Sequence, residues 1–183
     1  MRPLLTFGRV TCRRGGRLLF EDLDLQLGPG EALHLAGPNG SGKSSLIRLA
    51  AGLLHAERGH IDRSKTALAD EHVALDRELP LRRALNFWGG RVDQAMDALD
   101  LSRLSSVPVR LLSTGQVKRA TLARVAASDA PLWLLDEPLN GLDAAGVEQL
   151  DALISRHLER GGAVLAASLG PLAGSRIRLE LCG

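Results

Sequence analysis

An α/β fold built on a mainly parallel sheet follows from three observations in this 183-residue sequence. A glycine-rich loop, Gly37-Pro38-Asn39-Gly40-Ser41-Gly42-Lys43-Ser44, stands between an apolar run and an amphipathic one. A second apolar run, Leu132 to Leu135, ends in the acids Asp136 and Glu137. Around both, strand-like and helix-like periodicities alternate, the order that sets crossover helices between parallel strands. Residues 1–183 read as one domain, with residues 74–112 as a small helical subdomain inside it.

Composition narrows the function classes. Apolar residues make up 45% of the chain, enough for a core, and a net charge of +2 with scattered arginines gives no reason to expect nucleic acid. Cys12 and Cys182 lie at opposite ends without metal spacing and read as two unpaired thiols of a cytosolic protein. The longest charge-free stretch, Gly161 to Ser175, has 15 residues broken by glycines and Pro171. A spanning helix needs about 20 apolar residues, and Met1-Arg2-Pro3-Leu4 opens no signal-peptide core. Any membrane role is therefore expected to come through a partner.

In chain order, Leu4 to Cys12 reads as a strand, Arg13 to Arg17 as a turn, and Leu18 to Leu27 as the returning strand. In the latter, Leu23, Leu25 and Leu27 alternate with Asp24 and Gln26, a half-buried period of two. Gly28-Pro29-Gly30 ends this antiparallel opening, and Glu31 to Ala36 feeds the glycine loop. Beyond the loop, Leu46, Ile47, Leu49, Ala50, Leu53 and Leu54 form one apolar helix face that stops near residues 55–59. His60-Ile61 reads as an edge strand and Thr66 to Val73 as a weak one.

From Leu79 to Ser106 the period becomes helical. Leu81, Leu85 and Trp88 share one stripe, and Val92, Met96 and Leu99 share another after Gly89-Gly90. Both stripes read as core, and so does the pair Phe87-Trp88, with a partner contact as the alternative for that pair. Gly115 to Ala127 reads as a helix capped at Ser113-Thr114. Asp143 caps another helix that runs to about Arg160, with Val147, Leu150, Ile154 and Leu158 inward. Ala163 to Ala167 reads as a buried strand, and Ile177, Leu179 and Leu181 alternate along a final edge strand.

The glycine loop matches G-x-x-x-x-G-K-[ST] in a strand–loop–helix setting. Gly37, Gly40 and Gly42 let the backbone curl so that N–H groups face inward and no Cβ blocks an anion. With Pro38, Asn39 and Ser41 they lead into a helix N-terminus, whose free N–H groups and dipole favour phosphate. In that setting Lys43 reaches the β- and γ-phosphates of a nucleotide, and the Ser44 hydroxyl holds Mg²⁺. Asp136, delivered at its strand end beside the loop, is the expected second Mg²⁺ contact, through water. Glu137 points differently and is placed to orient and deprotonate a water, the general-base role.

Leu112-Ser113-Thr114-Gly115-Gln116 is the third signal, with Ser113 lying 23 residues before Asp136. It resembles the LSGGQ signature of ABC ATPases, with Thr114 in place of a glycine. Leu139-Asn140-Gly141-Leu142-Asp143 resembles their D-loop, to which Asp143 belongs. The motifs stand in family order across residues 37–143. The resemblance implies a P-loop NTPase of ABC ATPase fold that binds ATP and Mg²⁺, hydrolyses the nucleotide, and pairs head to tail with a second ABC ATPase chain as a homodimer. Ser113, Thr114, Gly115 and Gln116 of one chain then cap the nucleotide on the other's loop, again with N–H groups and a helix dipole. It also implies integral-membrane permease subunits as partners, with Leu79 to Trp88 as the facing groove, and a peripheral place on the cytoplasmic face of the inner membrane.

Three departures from the family pattern bear on rate. Leu169 stands where a histidine is usual, and Asp70-Glu71-His72-Val73 has no glutamine, His72 being nearest in place. Thr11-Cys12-Arg13-Arg14 offers a guanidinium rather than an aromatic ring for stacking on adenine. Hydrolysis slower than in a chain with all three is the expectation.

Arg17-Leu18-Leu19-Phe20, Asn86-Phe87-Trp88, residues 108–112 and Pro131-Leu132-Trp133-Leu134-Leu135-Asp136-Glu137-Pro138 are similar to the ATPase subunits of cytochrome c maturation haem exporters. That resemblance implies a part in haem export or handling for c-type cytochromes. The ATPase of another small ABC transporter, or a regulatory nucleotide-binding ABC protein with weak hydrolysis, are the alternatives left open. No Cys-x-x-Cys-His arrangement is present, so the chain need not bind haem itself.

Overall fold

Continuous apolar runs, rather than alternating ones, form the strands at the centre of the chain. The computed structural model describes residues 2–168 and 177–181, and in it β3 (Ala32–Ala36) and β7 (Ala163–Ala167) are buried at all five positions. β6 (Leu132–Asp136) is buried up to its last residue. Such runs have no solvent face because a parallel sheet is covered on both sides. With β5 (Thr66–Ala69) and β8 (Ile177–Glu180) they make a five-stranded parallel sheet in the order β5-β6-β7-β3-β8. A separate antiparallel sheet, ordered β2-β1-β4, joins β1 (Leu5–Arg14), β2 (Arg17–Leu27) and β4 (Arg58–Arg63). The β1–β2 hairpin turns on Gly15-Gly16, both with positive φ, as a two-residue hairpin turn favours.

The two-residue period of β6 divides the core. Leu132 and Leu134 face one side, where α1 (Lys43–Ala51) packs Leu46, Ile47, Leu49 and Ala50 against them and against Leu5 and Phe7 of β1. Trp133 and Leu135 face the other, beneath α4 (Thr114–Ala127) and α5 (Ala144–Glu159). Each fully buried leucine in these layers contributes about 1.5–3 kcal/mol.

Two expectations fail for local reasons. α1 ends at Ala51, because Gly52 takes a left-handed conformation and its N–H returns to Arg48 O and Leu49 O. That cap stops the helix before Leu53, which is 66% exposed instead of lying on the apolar face. The segment after residue 79 forms α2 (Leu81–Asn86) and α3 (Val92–Ala98), with single 3₁₀ turns at Ser102–Leu104 and Val109–Leu111. Leu81, Leu85, Val92, Met96 and Leu99 are buried, but Phe87 and Trp88 are not core: they are 82% and 47% exposed. α2 stops at Asn86, and Trp88 swings out so that its Nε1–H donates to Ala74 O at 2.9 Å while the Arg124 guanidinium covers its ring at 4.7 Å. Backbone bonds from Leu81 N–H to Val107 O and from Val109 N–H to Leu79 O close this helical segment.

Among the described residues no helix is long and apolar enough to cross a membrane. Cys12 is a buried free thiol whose pKa burial raises. Leu169 and Cys182 lie outside the described residues.

Candidate nucleotide site

The loop between β3 and α1 holds a shape that only glycine tolerates at two points. Gly37 has φ 138°, and a Cβ there would sit 2.6 Å from Leu181 O and 2.8 Å from Ser41 Oγ. Gly42, the N-cap of α1, has φ 104° and its Cβ would press on Leu19 of β2 at 3.2 Å. Because Gly42 offers no side-chain cap, the first N–H groups of α1 are unspent within the helix. Lys43 is buried and donates from Nζ to Gly37 O at 2.8 Å and Pro38 O at 2.9 Å. Ser41 Oγ is buried with no hydrogen-bond partner.

β6 is not the neighbour of β3; β7 lies between them. The acid at the end of β6 nevertheless comes near the loop, where Ser44 lies close enough to the Asp136 carboxylate to pull its pKa down. Burial raises the pKa of Asp136, and the nearby Ser44 hydroxyl and Arg48 partly offset this. One oxygen, Oδ1, is buried without a partner. Glu137 leaves the strand with φ 46°, a left-handed conformation that costs a non-glycine residue of order 1–3 kcal/mol. Its N–H is held by Ala167 O at 2.8 Å and its carbonyl by Lys118 Nζ at 2.8 Å. That turn separates the two acids: Glu137 lines a cavity of about 440 Å³ together with Asn39, Gly40, Lys43 and Ser44. Arg14 and Leu19 of the β1–β2 hairpin line the same cavity.

Two members of this cluster escaped sequence reasoning. Lys118 sits in α4 with its pKa lowered by burial, while Asp136, Glu137 and Asp70 pull it back up. Asp70 follows β5, whose register sets Ala69 opposite Leu135 and so brings Asp70 beside Asp136. No periodicity marks either residue; pairing β5 with β6 would have marked Asp70. His72 is turned outward, and its ring bonds back to Asp70 at 3.2 Å.

Ser113, Thr114, Gly115 and Gln116 are absent from the lining of the Lys43 cavity. Ser113 Oγ accepts the Gln116 N–H while Gln116 Oε1 accepts the Ser113 N–H, a reciprocal capping box that starts α4 at the surface. Gly115 runs so close to Gly141 that a Cβ would lie 3.1 Å from its carbonyl. Asp143 caps α5 by accepting Gly146 N–H at 2.9 Å and also pairs with Arg119 of α4. These bonds lower its pKa, the Gly146 N–H first and Arg119 second. The start of α4 and the start of α5 are thereby tied into one surface.

The pattern of the ABC transporter family matches residues 20–140. The chain is 55% identical to the cytochrome c biogenesis ATP-binding export protein CcmA of Sphingopyxis alaskensis, over 94% of this chain and 93% of that one. It is 56% identical to the protein of the same description from Novosphingobium aromaticivorans, over 92% and 90% of the two chains. Among solved structures, an ATP-binding subunit of an ABC transporter superposes with a TM-score of 0.81 at 23% identity, covering 91% of this chain and 80% of that one. An ABC transporter ATP-binding protein of Pyrococcus furiosus gives 0.84 at 19% identity, over 97% and 96%. At those identities the two structures speak for the fold alone.

Proposed function

Because the chain belongs to the ABC transporter family and shares most of its length with cytochrome c biogenesis ATP-binding export proteins, we propose that it hydrolyses ATP to drive haem export or handling in the assembly of c-type cytochromes. The observation that carries the hydrolytic reading is one cluster. Ser44 of the loop lies near Asp136 at the end of β6, and Glu137 lines one cavity with Lys43 and Ser44. Gly37, Asn39, Gly40 and Gly42 offer backbone N–H groups to the phosphates at the uncapped start of α1, while Pro38, which has no N–H, shapes the loop by accepting the Ser41 N–H at 3.3 Å. Lys43 spends two of its three N–H donors on loop carbonyls and keeps one for a phosphate oxygen. Asp136 suits a divalent cation, since its buried, partnerless Oδ1 is a costly charge that a cation beside Ser44 relieves. Mg²⁺ bound there supplies charge neutralisation at the phosphates. Glu137 takes the proton from the attacking water, and Lys118 fixes the backbone that aims it. Arg14 offers its guanidinium to the base.

Glu137→Gln is the test. Purified protein turns over ATP in the presence of Mg²⁺, slowly for a member of this family, and the variant loses about 10²–10⁴-fold while still binding nucleotide. Turnover indifferent to the change sinks the general-base assignment, and no turnover in the unaltered chain favours a regulatory role instead.

The same reading makes the working unit a homodimer, in which Ser113, Thr114, Gly115 and Gln116 of one chain close over the nucleotide of the other. It also makes the chain peripheral to the cytoplasmic face of the inner membrane, held there by permease subunits. Their docking groove is taken to lie along Leu79 to Trp88, where Phe87 is exposed and Trp88 lines a cavity of about 1100 Å³ with Leu53, Leu68 and His72. Phe87→Glu removes co-sedimentation with permease-containing membranes and leaves ATP binding intact; loss of ATP binding would mark Phe87 as a fold residue.

A further inference from the structure

A second cavity, of about 350 Å³, lies at the N-terminal end of the parallel sheet, the end opposite the phosphate loop. It is lined by Trp133 at the start of β6 and by His157 of α5, whose rings stack at 3.9 Å and 13°. Arg91, Arg156 and Arg160 surround them.

Two independent observations point to a ligand here. Trp133 is only 5% exposed, and its Nε1–H is buried with no acceptor among the described residues. A buried donor without an acceptor is rare enough to demand a reason. The second observation concerns charge. Arg2, Arg13, Arg48, Arg82, Arg103, Arg110 and Arg119 pair with carboxylates and other described arginines do not, but here three unpaired ones converge on one cavity. Among the described residues, Arg91, Arg156 and Arg160 have no carboxylate within ion-pair distance, and Arg156 only donates to Ala152 O of its own helix at 3.2 Å. One acid, Asp129, lines the cavity against these three cations.

The remaining polar groups leave this imbalance intact. His157 donates from Nε2 to Pro131 O at 3.1 Å, and burial holds its pKa below the ordinary 6.5, so it adds no charge at neutral pH. Carbonyls at the ends of α4 and α5 would repel an anion, but they are already engaged. Ala127 O accepts Arg91 N–H, His157 O accepts Gly162 N–H, and Leu158 O accepts Gly161 N–H, each at 2.9 Å. The cavity is thus richer in donors than in acceptors.

We propose that it binds an oxyanion, the phosphate or carboxylate group of a small ligand, through Trp133 Nε1–H and the guanidinium groups of Arg91, Arg156 and Arg160. Its volume is near the lower end of small-molecule sites, about 300–1,000 Å³, which suits a metabolite-sized anion. An occupant would touch α4 and α5 together, the helices that begin at Ser113 and Asp143.

The chain has two tryptophans, so Trp88→Phe leaves Trp133 as the only indole reporter. With the phosphate loop filled by a saturating non-hydrolysable ATP analogue, inorganic phosphate and citrate are titrated at constant ionic strength. A saturable change in Trp133 emission is expected, with either probe raising the melting temperature of the unaltered chain. Arg156→Ala with Arg160→Ala, both at exposed positions, should weaken the response by about tenfold or more, the worth of one charge-assisted hydrogen bond. Two results overturn the site: no saturable response to either probe, or a response that survives loss of all three arginines. The indole N–H is then served by water, and the arginines only complement the helix ends.

Discussion

At the C-terminal end of the parallel sheet, Lys43, Lys118 and Asp136 are charged groups held partly or wholly away from water. At the N-terminal end the charges are exposed arginines, and the buried groups are a Trp133–His157 stack and bonded carbonyls. Pro131 O accepts from both Ala163 N–H and His157 Nε2, and Gly162 O accepts from Gly30 N–H. The other end is bonded as well, Lys43 to two loop carbonyls and Glu137 through its N–H and carbonyl, but it is also strained and partly unpartnered. There Glu137 sits in a left-handed conformation, and Ser41 Oγ and Asp136 Oδ1 have no partners. At the phosphate end unmet polarity and strain coincide with the chemistry expected there, although Arg124 Nε, Trp133 Nε1 and Gln149 Oε1 are also unpartnered and Arg9, Asp22 and Asp100 also have positive φ. Among the described residues lining the cavity at the quiet end, Trp133 Nε1 is the buried polar atom left unpartnered, which is why that cavity stands out.

If the two ends divide the work in this way, substitutions should separate stability from binding. Trp133→Ala removes the stacked ring from beneath α5 and should cost about 3–5 kcal/mol in chemical denaturation, with ATP affinity nearly unchanged. Lys43→Ala should do the reverse. It removes the cation of the loop and weakens ATP binding by about 10–100-fold, the worth of a charged hydrogen bond. Unfolding should shift far less, because Leu46, Ile47, Leu49 and Ala50 keep α1 on the sheet. Isotherms and denaturation curves for both variants, measured side by side, break the comparison if either one moves both quantities equally.

The quiet end was the more legible in sequence. Leu132 to Leu135 and Ala163 to Ala167 read as buried strands because burial on both faces demands an unbroken apolar run. The phosphate loop and Asp136-Glu137 were legible for another reason: their chemistry restricts residue type and spacing within a few positions. What stayed hidden depends on contacts between distant segments. Lys118 gains its role from the Glu137 carbonyl, and Asp70 from the pairing of β5 with β6. Trp88 fits a helical stripe with Leu81 and Leu85, yet α2 ends at Asn86 and the stripe has no helix to continue on. Leu53 failed likewise, one residue beyond the glycine cap of α1.

The smallest effects are the most discriminating, because the two ends should respond to pH with opposite sign. His157 has a folded pKa below 6.5, lowered by burial. As pH falls through 6.5 the unfolded chain takes up the proton first, so stability is lost in acid until the folded pKa is passed. His157→Gln should remove that dependence. Asp136 has a folded pKa above 3.8, again through burial. Between 3.8 and its folded value the native chain keeps a proton that the unfolded chain has released, so this contribution is lost as pH rises. At neutral pH the ionised carboxylate therefore opposes folding, by an amount that partial exposure and the nearby Ser44 hydroxyl reduce. Asp136→Asn should raise the unfolding midpoint at pH 7 while hydrolysis disappears. A carboxylate retained against stability is being held for a ligand; if Asp136→Asn instead lowers the midpoint, Asp136 is a structural acid and the contrast between the two ends fails.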